Sequence, residues 1–189
     1  MYSFHSTKLF NTIEGGCLAY KNPELKEKIF QLRNFGIVNP EVVSDIGING
    51  KMNEFQAAFG LLNLKIFREE QKKREKIKQY YDEKISEIKG IRIPQMPDNA
   101  TNSYQYYPII IEDDYPLNRD ELFEKFKANN ILVRKYFYPA CSDFECYKDA
   151  KKGNLSVLND IKNRVLSLPY YGELSEVDLI RIVELIYEN

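Results

Sequence analysis

The chain has 189 residues, with 27 basic against 28 acidic side chains, a formal net charge of -1 and 43% hydrophobic composition. That length accommodates one ordinary domain or two small ones with a buried core. The near-even charge balance excludes the basic footprint of a nucleic-acid binder or a polybasic membrane surface.

Apolar stretches such as Pro108 to Ile111 and Leu179 to Ile186 fall far short of the roughly 20 residues needed to cross a bilayer. With no signal-peptide pattern at the start, the expectation is a soluble cytoplasmic protein without nucleic-acid or membrane partners. Cys17, Cys141 and Cys146 are an odd number of cysteines and read as reduced, buried or half-buried thiols rather than a disulfide framework. His5 is the only imidazole, too few ligands for a structural zinc site, so no metal is expected.

In chain order, Gly16 to Tyr20 fits a short buried strand. Asn22-Pro23 reads as the N-cap and first residue of a helix with Leu25, Ile29 and Leu32 on one face and Gly36 as its stop. From Met52 the chain enters its longest helical pattern. Phe55, Phe59, Leu62 and Ile66 form a stripe that should bury one face. The charged run Arg68 to Lys76 should cross solvent before Ile77, Tyr81, Ile85 and Ile88 resume an apolar face. One long helix serving two cores is the expectation.

Beyond Gly90, the stretch from Ile91 to Asn102 suits an edge strand and then a loop. Tyr104 to Ile111 reads as a strand, with Pro108 pointing to an edge position or a bulge. Asn118 with Glu121 makes a capping-box helix start, ahead of Leu122, Phe123 and Phe126 on a buried face. Ile131 to Phe137 reads as another strand. Ser175 with Asp178 caps a last helix whose Val177, Ile180, Val183 and Ile186 should be buried. The domains expected are 1–89 and 90–189, the second an α/β sandwich.

Chemistry-bearing residues concentrate near the start, in "SFHSTKLFNTIEGG". By spacing alone Lys8 reads as a solvated surface charge, because a nucleophilic amine must be neutral part of the time and needs a pocket or a cationic neighbour to make it so. Ser3 alone reads as a turn serine, and Asn49-Gly50 as an ordinary turn.

That segment is followed by a helix ending in "LRNFG", then "GINGKMNEFQAAFGLLNLK", and downstream "ILVRKYFYP" and "RVLSLPYYGELSEVDL". In this order they resemble the C-terminal half of the pyridoxal-phosphate-dependent nucleotide-sugar aminotransferases, the DegT/StrS family, from about Ser3 to the end. The resemblance implies an α/β fold made of the end of a large-domain sheet, a long connecting helix and a small C-terminal domain. It implies pyridoxal 5'-phosphate as cofactor, with Lys8 as the lysine whose amine bonds the cofactor aldehyde. Ser3 matches the serine that binds the cofactor phosphate, and Asn49 the asparagine that reaches that phosphate across a dimer. Lys51 stands where many members carry arginine, which removes a bidentate fork from any carboxylate or phosphate contact. Arg134, Lys135, Tyr136 and Tyr138 resemble a strand lining the nucleotide-sugar entrance, although alternation along a strand turns half of them away from any one pocket. His5 matches a family histidine and is assigned no chemical step.

The implied substrates are glutamate and a nucleotide-linked keto-sugar, such as a dTDP-keto-6-deoxyhexose, in amino-sugar biosynthesis for surface polysaccharide. In the family, the phosphate-binding helix, the ring stacked on the pyridine and the carboxylate at its nitrogen precede the lysine segment. Two readings follow. In one, the chain is an aminotransferase half that works as a homodimer or with a complementing N-terminal half. In the other, it is a catalytically inactive module for interaction or dimerisation. In either, the segment before Gly90 should be sticky or loose, while the C-terminal unit could fold alone.

Overall fold

Residues 1–188, described by the computed structural model, fall into two contact units, Met1–Arg68 and Glu69 onward. In the first unit, β1 (Tyr2–Ser3) pairs antiparallel with β2 (Gly16–Cys17), Tyr2 facing Cys17. The expected buried strand Gly16 to Tyr20 is therefore only two residues long and exposed, because β1 offers only two residues to pair with.

Helix α1 (Leu25–Arg33) starts two residues later than the Asn-Pro signal suggests. Asn22 Oδ1 accepts the Glu24 N–H at 3.0 Å, and the Leu25 N–H reaches the Asn22 carbonyl, so a turn precedes the helical ladder. The stop at Gly36 is as expected: its φ of 77° is left-handed, its N–H reaches the Gln31 carbonyl, and a Cβ there would collide with the Asp45 carbonyl. A small hairpin, β3 (Ile37–Asn39) with β4 (Val42–Val43), follows.

Helix α2 (Glu54–Ile85) is one element of 32 residues. Asn53 and Gln56 cap it reciprocally, each backbone N–H bonded to the other's side-chain oxygen at 2.9 and 3.2 Å. The stripe expected to bury its first half stays open: Phe55 is 86% exposed, Leu62 59% and Ile66 57%. Periodicity groups these residues on one face, but the first unit holds no surface that covers them. Among the described residues, the buried apolar side chains begin only at Ile77.

The second unit has the core. Strands β5 (Ile91–Arg92), β6 (Tyr107–Ile111) and β7 (Val165–Leu168) form an antiparallel sheet in that order. Helices α3 (Arg119–Ala128), α4 (Ser156–Ile161) and α5 (Glu176–Tyr187) complete it. Tyr81 and Ile85 from α2, Ile109 and Leu166 from the sheet, Leu122 and Phe126 from α3 and Ile186 from α5 are all fully buried together. This cluster draws the C-terminal half of α2 into the second unit, and the boundary between the contact units falls after Arg68, within the helix.

Two caps act as the sequence indicates. Asn118 accepts from Asp120 and Glu121 while Glu121 accepts the Asn118 N–H, and Ser175 accepts the Asp178 N–H. The buried face of α5 carries Leu179, Ile182, Val183, Leu185 and Ile186, whereas Val177 and Ile180, three residues apart, lie together off that face and are exposed.

Pro108 lies in the middle strand, not at an edge. It sits opposite Ser167, whose N–H and carbonyl both turn away to Arg134, so that side of Pro108 needs no donor. On its other side β5 has already ended at Arg92, opposite Ile110. The expected strand Ile131 to Phe137 reduces to one bridge, Arg134 to Ser167, because the Tyr136 N–H folds back to the Arg134 carbonyl at 3.0 Å.

Tyrosines tie α2 into this unit. Tyr81 donates to the Pro169 carbonyl, Tyr107 to Asp82 and Tyr170 to the Arg74 carbonyl, each at 2.9 Å. Part of the charged run is also claimed: Arg74 pairs with Glu70 at 2.8 Å, and Glu70 accepts the Gly172 N–H. The three cysteines are free as expected, but exposed rather than buried: Cys17 ends a ribbon without cover and the other two lie on surface 3₁₀ turns. No helix of the described residues is long and apolar enough to cross a membrane.

Phe126→Ala should lower the stability of the second unit by about 3–5 kcal/mol. Phe55→Ala should stay within about 0.5 kcal/mol of the parent. Urea denaturation of the two variants checks the contrast.

Candidate active site

The lysine segment is the long loop of the β1–β2 ribbon. Its base is closed by the Phe4 N–H on the Gly15 carbonyl at 2.8 Å, and the Thr12 N–H returns to the Phe4 carbonyl at 2.9 Å. Within it, the Lys8 N–H bonds the His5 carbonyl at 2.8 Å, and Asn11 Nδ2 donates to the Lys8 carbonyl at 3.2 Å. The main chain at Lys8 is thus held on both sides, and its side chain is half-buried.

What holds the loop against the helix is a set of residues that the sequence did not single out. Asn63 of α2 donates through Nδ2 to the Asn11 carbonyl at 2.9 Å. Thr12 is 3% exposed and donates to the Glu14 carbonyl at 2.8 Å. A Cβ on Gly60 would stand 2.7 Å from Thr12 Cγ2, so the absence of a side chain there permits the approach. Phe10 packs edge-on between Phe4 and Phe67, at centroid distances of 4.9 and 6.2 Å. The available signal was a polar Asn63 and a Gly60 interrupting an apolar helical pattern.

Ser3 lies at the end of β1, where its Oγ accepts the His5 N–H at 3.4 Å. In that bond the hydroxyl is an acceptor, so it retains its proton for another partner. His5 turns back on its own loop, with Nδ1 2.9 Å from Thr7 Oγ1 and Nε2 3.5 Å from Glu14.

Ser3 also lines a cleft of about 810 Å³ bounded by the β1–β2 ribbon, α1 and the segment Ile48 to Met52. Lys8 and Asn49 are outside its lining, although Ile48 and Gly50 on either side of Asn49 belong to it. Asn49 is exposed and bridged to Asn34; the neighbouring bonds are Phe35 N–H to Ile48 and Gly50 N–H to Arg33. Lys51 folds onto the end of α1, its ammonium 3.1 Å from Asn34 Oδ1 and 4.3 Å above the Phe35 ring.

Arg134, Tyr136 and Tyr138 are in the second unit. The Arg134 guanidinium lies 5.5 Å from the Tyr136 ring, which packs on Tyr106 at 5.0 Å. Tyr138 sits 4.7 Å from the guanidinium of Arg119, which is 3% exposed and bonds Asp120 at 2.7 Å. Lys135 points elsewhere, to Asp120 at 2.5 Å and over the Phe123 ring. The hydrogen bond from Lys135, aided by Arg119, outweighs desolvation and holds the Asp120 carboxyl below the usual carboxylate range.

The donor set in the first unit suits a phosphorylated aldehyde in two respects: an amine on an anchored loop, and a hydroxyl with a proton to give to an anion. A carboxylate for a ring nitrogen is not among the residues matched to the site.

The model of the DegT/DnrJ/EryC1/StrS aminotransferase family matches residues 1–187. A dTDP-4-amino-4,6-dideoxy-D-glucose transaminase of Shigella dysenteriae is 41% identical over 98% of this chain and 51% of its own length. One of the same description from Escherichia coli is 39% identical over 92% of this chain and 47% of its own. The solved structure of DesI in the presence of its TDP-sugar product superimposes with a TM-score of 0.88 and 31% identity, covering 97% of this chain and 47% of DesI. The chain therefore spans about half the length of the curated relatives it matches, and it has about half of the fold of the pyridoxal-phosphate-dependent sugar aminotransferases.

Two outcomes are expected. Replacing Gly60 by Ala, a change that an exposed helix interior would favour by about 1 kcal/mol, should instead displace Thr12, and hydrogen exchange at the Phe4 and Thr12 amides should speed up. Because the Asp120 carboxyl is lowered in the folded state, its contribution to stability is present above the ordinary carboxylate value of about 3.9 and is lost as pH falls through the lowered one. Urea midpoints should therefore drop more steeply below that value in the parent than in Asp120→Asn.

Proposed function

This chain belongs to the DegT/DnrJ/EryC1/StrS aminotransferase family, and from that premise we propose that it is one half of a pyridoxal-phosphate-dependent nucleotide-sugar aminotransferase. Residues 1–89 are the remnant of its cofactor-binding domain and 90–189 its small domain. The reaction moves an amino group from glutamate to a nucleotide-linked keto-sugar. A dTDP-keto-6-deoxyhexose is favoured by the Shigella and Escherichia relatives, both dTDP-4-amino-4,6-dideoxy-D-glucose transaminases. The product would serve surface-polysaccharide synthesis in the cytoplasm.

The observation that carries this reading is Lys8 on its anchored loop, with Ser3 at the loop's foot. The cofactor, when bound, supplies the electron sink for breaking a bond at the donor carbon. Lys8 Nζ would hold the cofactor through its aldehyde and would be the base placed to carry the donor proton. Ser3 Oγ would donate a hydrogen bond to the phosphate. Asn49 serves the same phosphate across a homodimer, and Arg134, Tyr136 and Tyr138 receive the nucleotide-sugar. Lys51, engaged by Asn34 and Phe35, would have to leave them to reach a substrate.

A second reading, a non-catalytic module, is favoured by the open apolar face of α2. The two part company in one experiment. The part of the Shigella relative outside the matched region is coexpressed with this chain, pyridoxal phosphate is added, and borohydride reduction is followed by peptide mapping. The cofactor should be fixed to the peptide carrying Lys8 and absent from Lys8→Ala. Fixation at another amine, or none, removes Lys8 from this role, and the chain alone should show little or no turnover with glutamate and a dTDP-keto-hexose.

A further inference from the structure

We propose that Arg119 is a positioning residue for the nucleotide-sugar: its guanidinium, shut inside the second unit, backs the Tyr138 ring and, with Asp120, fixes the segment from Arg134 to Tyr138. The inference rests on the reading above, in which Arg134, Tyr136 and Tyr138 receive that substrate, and it names what holds them in place.

Arg119 opens α3 and is buried, an uncommon place for a side chain whose charge favours water. Its Nε donates to Asp120 at 2.7 Å, an Nη1 hydrogen reaches the Lys162 carbonyl at 3.4 Å, and the guanidinium carbon lies 4.7 Å from the centre of the Tyr138 ring. Apolar side chains of similar volume often match a buried ion pair in stability, so stability alone does not account for a guanidinium here. A planar cation does something an apolar chain cannot: it gives an aromatic ring a flat, attractive surface to lie on. Tyr138 lies on that surface and is still half exposed, so its ring is backed from within and open to a ligand.

The segment carrying Tyr138 needs this support. Val133 and Ala140 are buried at its two ends. Between them the main chain makes one bridge, Arg134 to Ser167, and then turns at Tyr136 without a further ladder among the described residues. Side chains take over the anchoring. Lys135 Nζ bonds Asp120 at 2.5 Å, Tyr138 lies on Arg119, and just beyond Ala140 the Asp143 carboxylate accepts from Lys162 Nζ at 3.0 Å. Arg119 touches a member of each of these ties, through Asp120, the Tyr138 ring and the Lys162 carbonyl. Because Arg119 is buried it acts through Tyr138, and a ring already held in place loses less freedom when the ligand arrives.

The test uses the full chain, alone and coexpressed with the part of the Shigella relative outside the matched region, with pyridoxal phosphate added. Arg119→Met keeps an unbranched stem and removes the planar cation, while Lys135→Met cuts only the tie to Asp120. In Arg119→Met alone, hydrogen exchange at the Arg134 and Tyr136 amides should speed up by about tenfold while the amides of Ile109 and Leu166 remain protected. In the assembly, the KM for a dTDP-keto-hexose should rise about tenfold in Arg119→Met and about threefold in Lys135→Met. The half-reaction with glutamate, which uses no nucleotide-sugar, should keep its parent rate.

A purely structural role would lower the urea midpoint of Arg119→Met and leave the sugar KM at its parent value, which overturns the inference and spares the catalytic reading. An equal loss in the glutamate half-reaction also overturns it, since the effect would not then belong to the nucleotide-sugar. No turnover by the parent assembly overturns the reading and the inference with it. Should Arg119→Met lose protection at Ile109 and Leu166, Lys135→Met decides: a raised sugar KM supports the inference and a parent value overturns it.

Discussion

The approach of Thr12 to Gly60 governs where Lys8 stands. A loop the length of the lysine segment has no core of its own and pays the full entropy of being ordered. Here that cost is offset locally, by the buried Thr12 against a helix position without a side chain, by Asn63 bonded to the Asn11 carbonyl, and by Phe10 between two rings. None of these groups has a chemical role in the proposed transfer. They fix the backbone from which the amine projects, and they do so from the face of α2 turned toward the loop.

The two units solve burial differently. The second encloses side chains from α2, three strands and two helices in a continuous cluster, with two of its helices capped by Asn118 and Ser175. The first is held largely by hydrogen bonds in turns and by contacts along α2, and it leaves its large apolar residues open. Membership of a family whose matched members are about twice as long places that contrast in context.

The legible features were those written locally. Asn118 with Glu121, Ser175 with Asp178, the stop at Gly36 and the Ile77, Tyr81, Ile85 face of α2 each depend on residues a few positions apart. Burial was not legible at Phe55, Phe59, Leu62 and Ile66, because a stripe tells which residues share a face and not whether a surface exists to meet it. Pro108 was misplaced because its tolerance depends on where Ser167 and β5 direct their bonds, which no local pattern records. At the candidate site the residues alone left Lys8 a surface charge. The resemblance of several motifs in order gave it a role, and the anchors Asn63 and Thr12 emerged only from the folded chain.

The tyrosines that bind α2 to the second unit set its alkaline limit. Burial pushes the Tyr81, Tyr107 and Tyr170 phenols up, and at Tyr107 the adjoining Asp82 carboxylate adds to the effect. Folded, these phenols stay neutral well past the value of about 10 at which an unfolded chain would ionise them. The advantage of the native state is intact below that value and erodes as hydroxide rises, because the disordered chain accepts phenolate charge that the interior refuses. A helix fastened by hydroxyl groups in this manner is bound to its unit by bonds that ordinary cellular acidity does not touch.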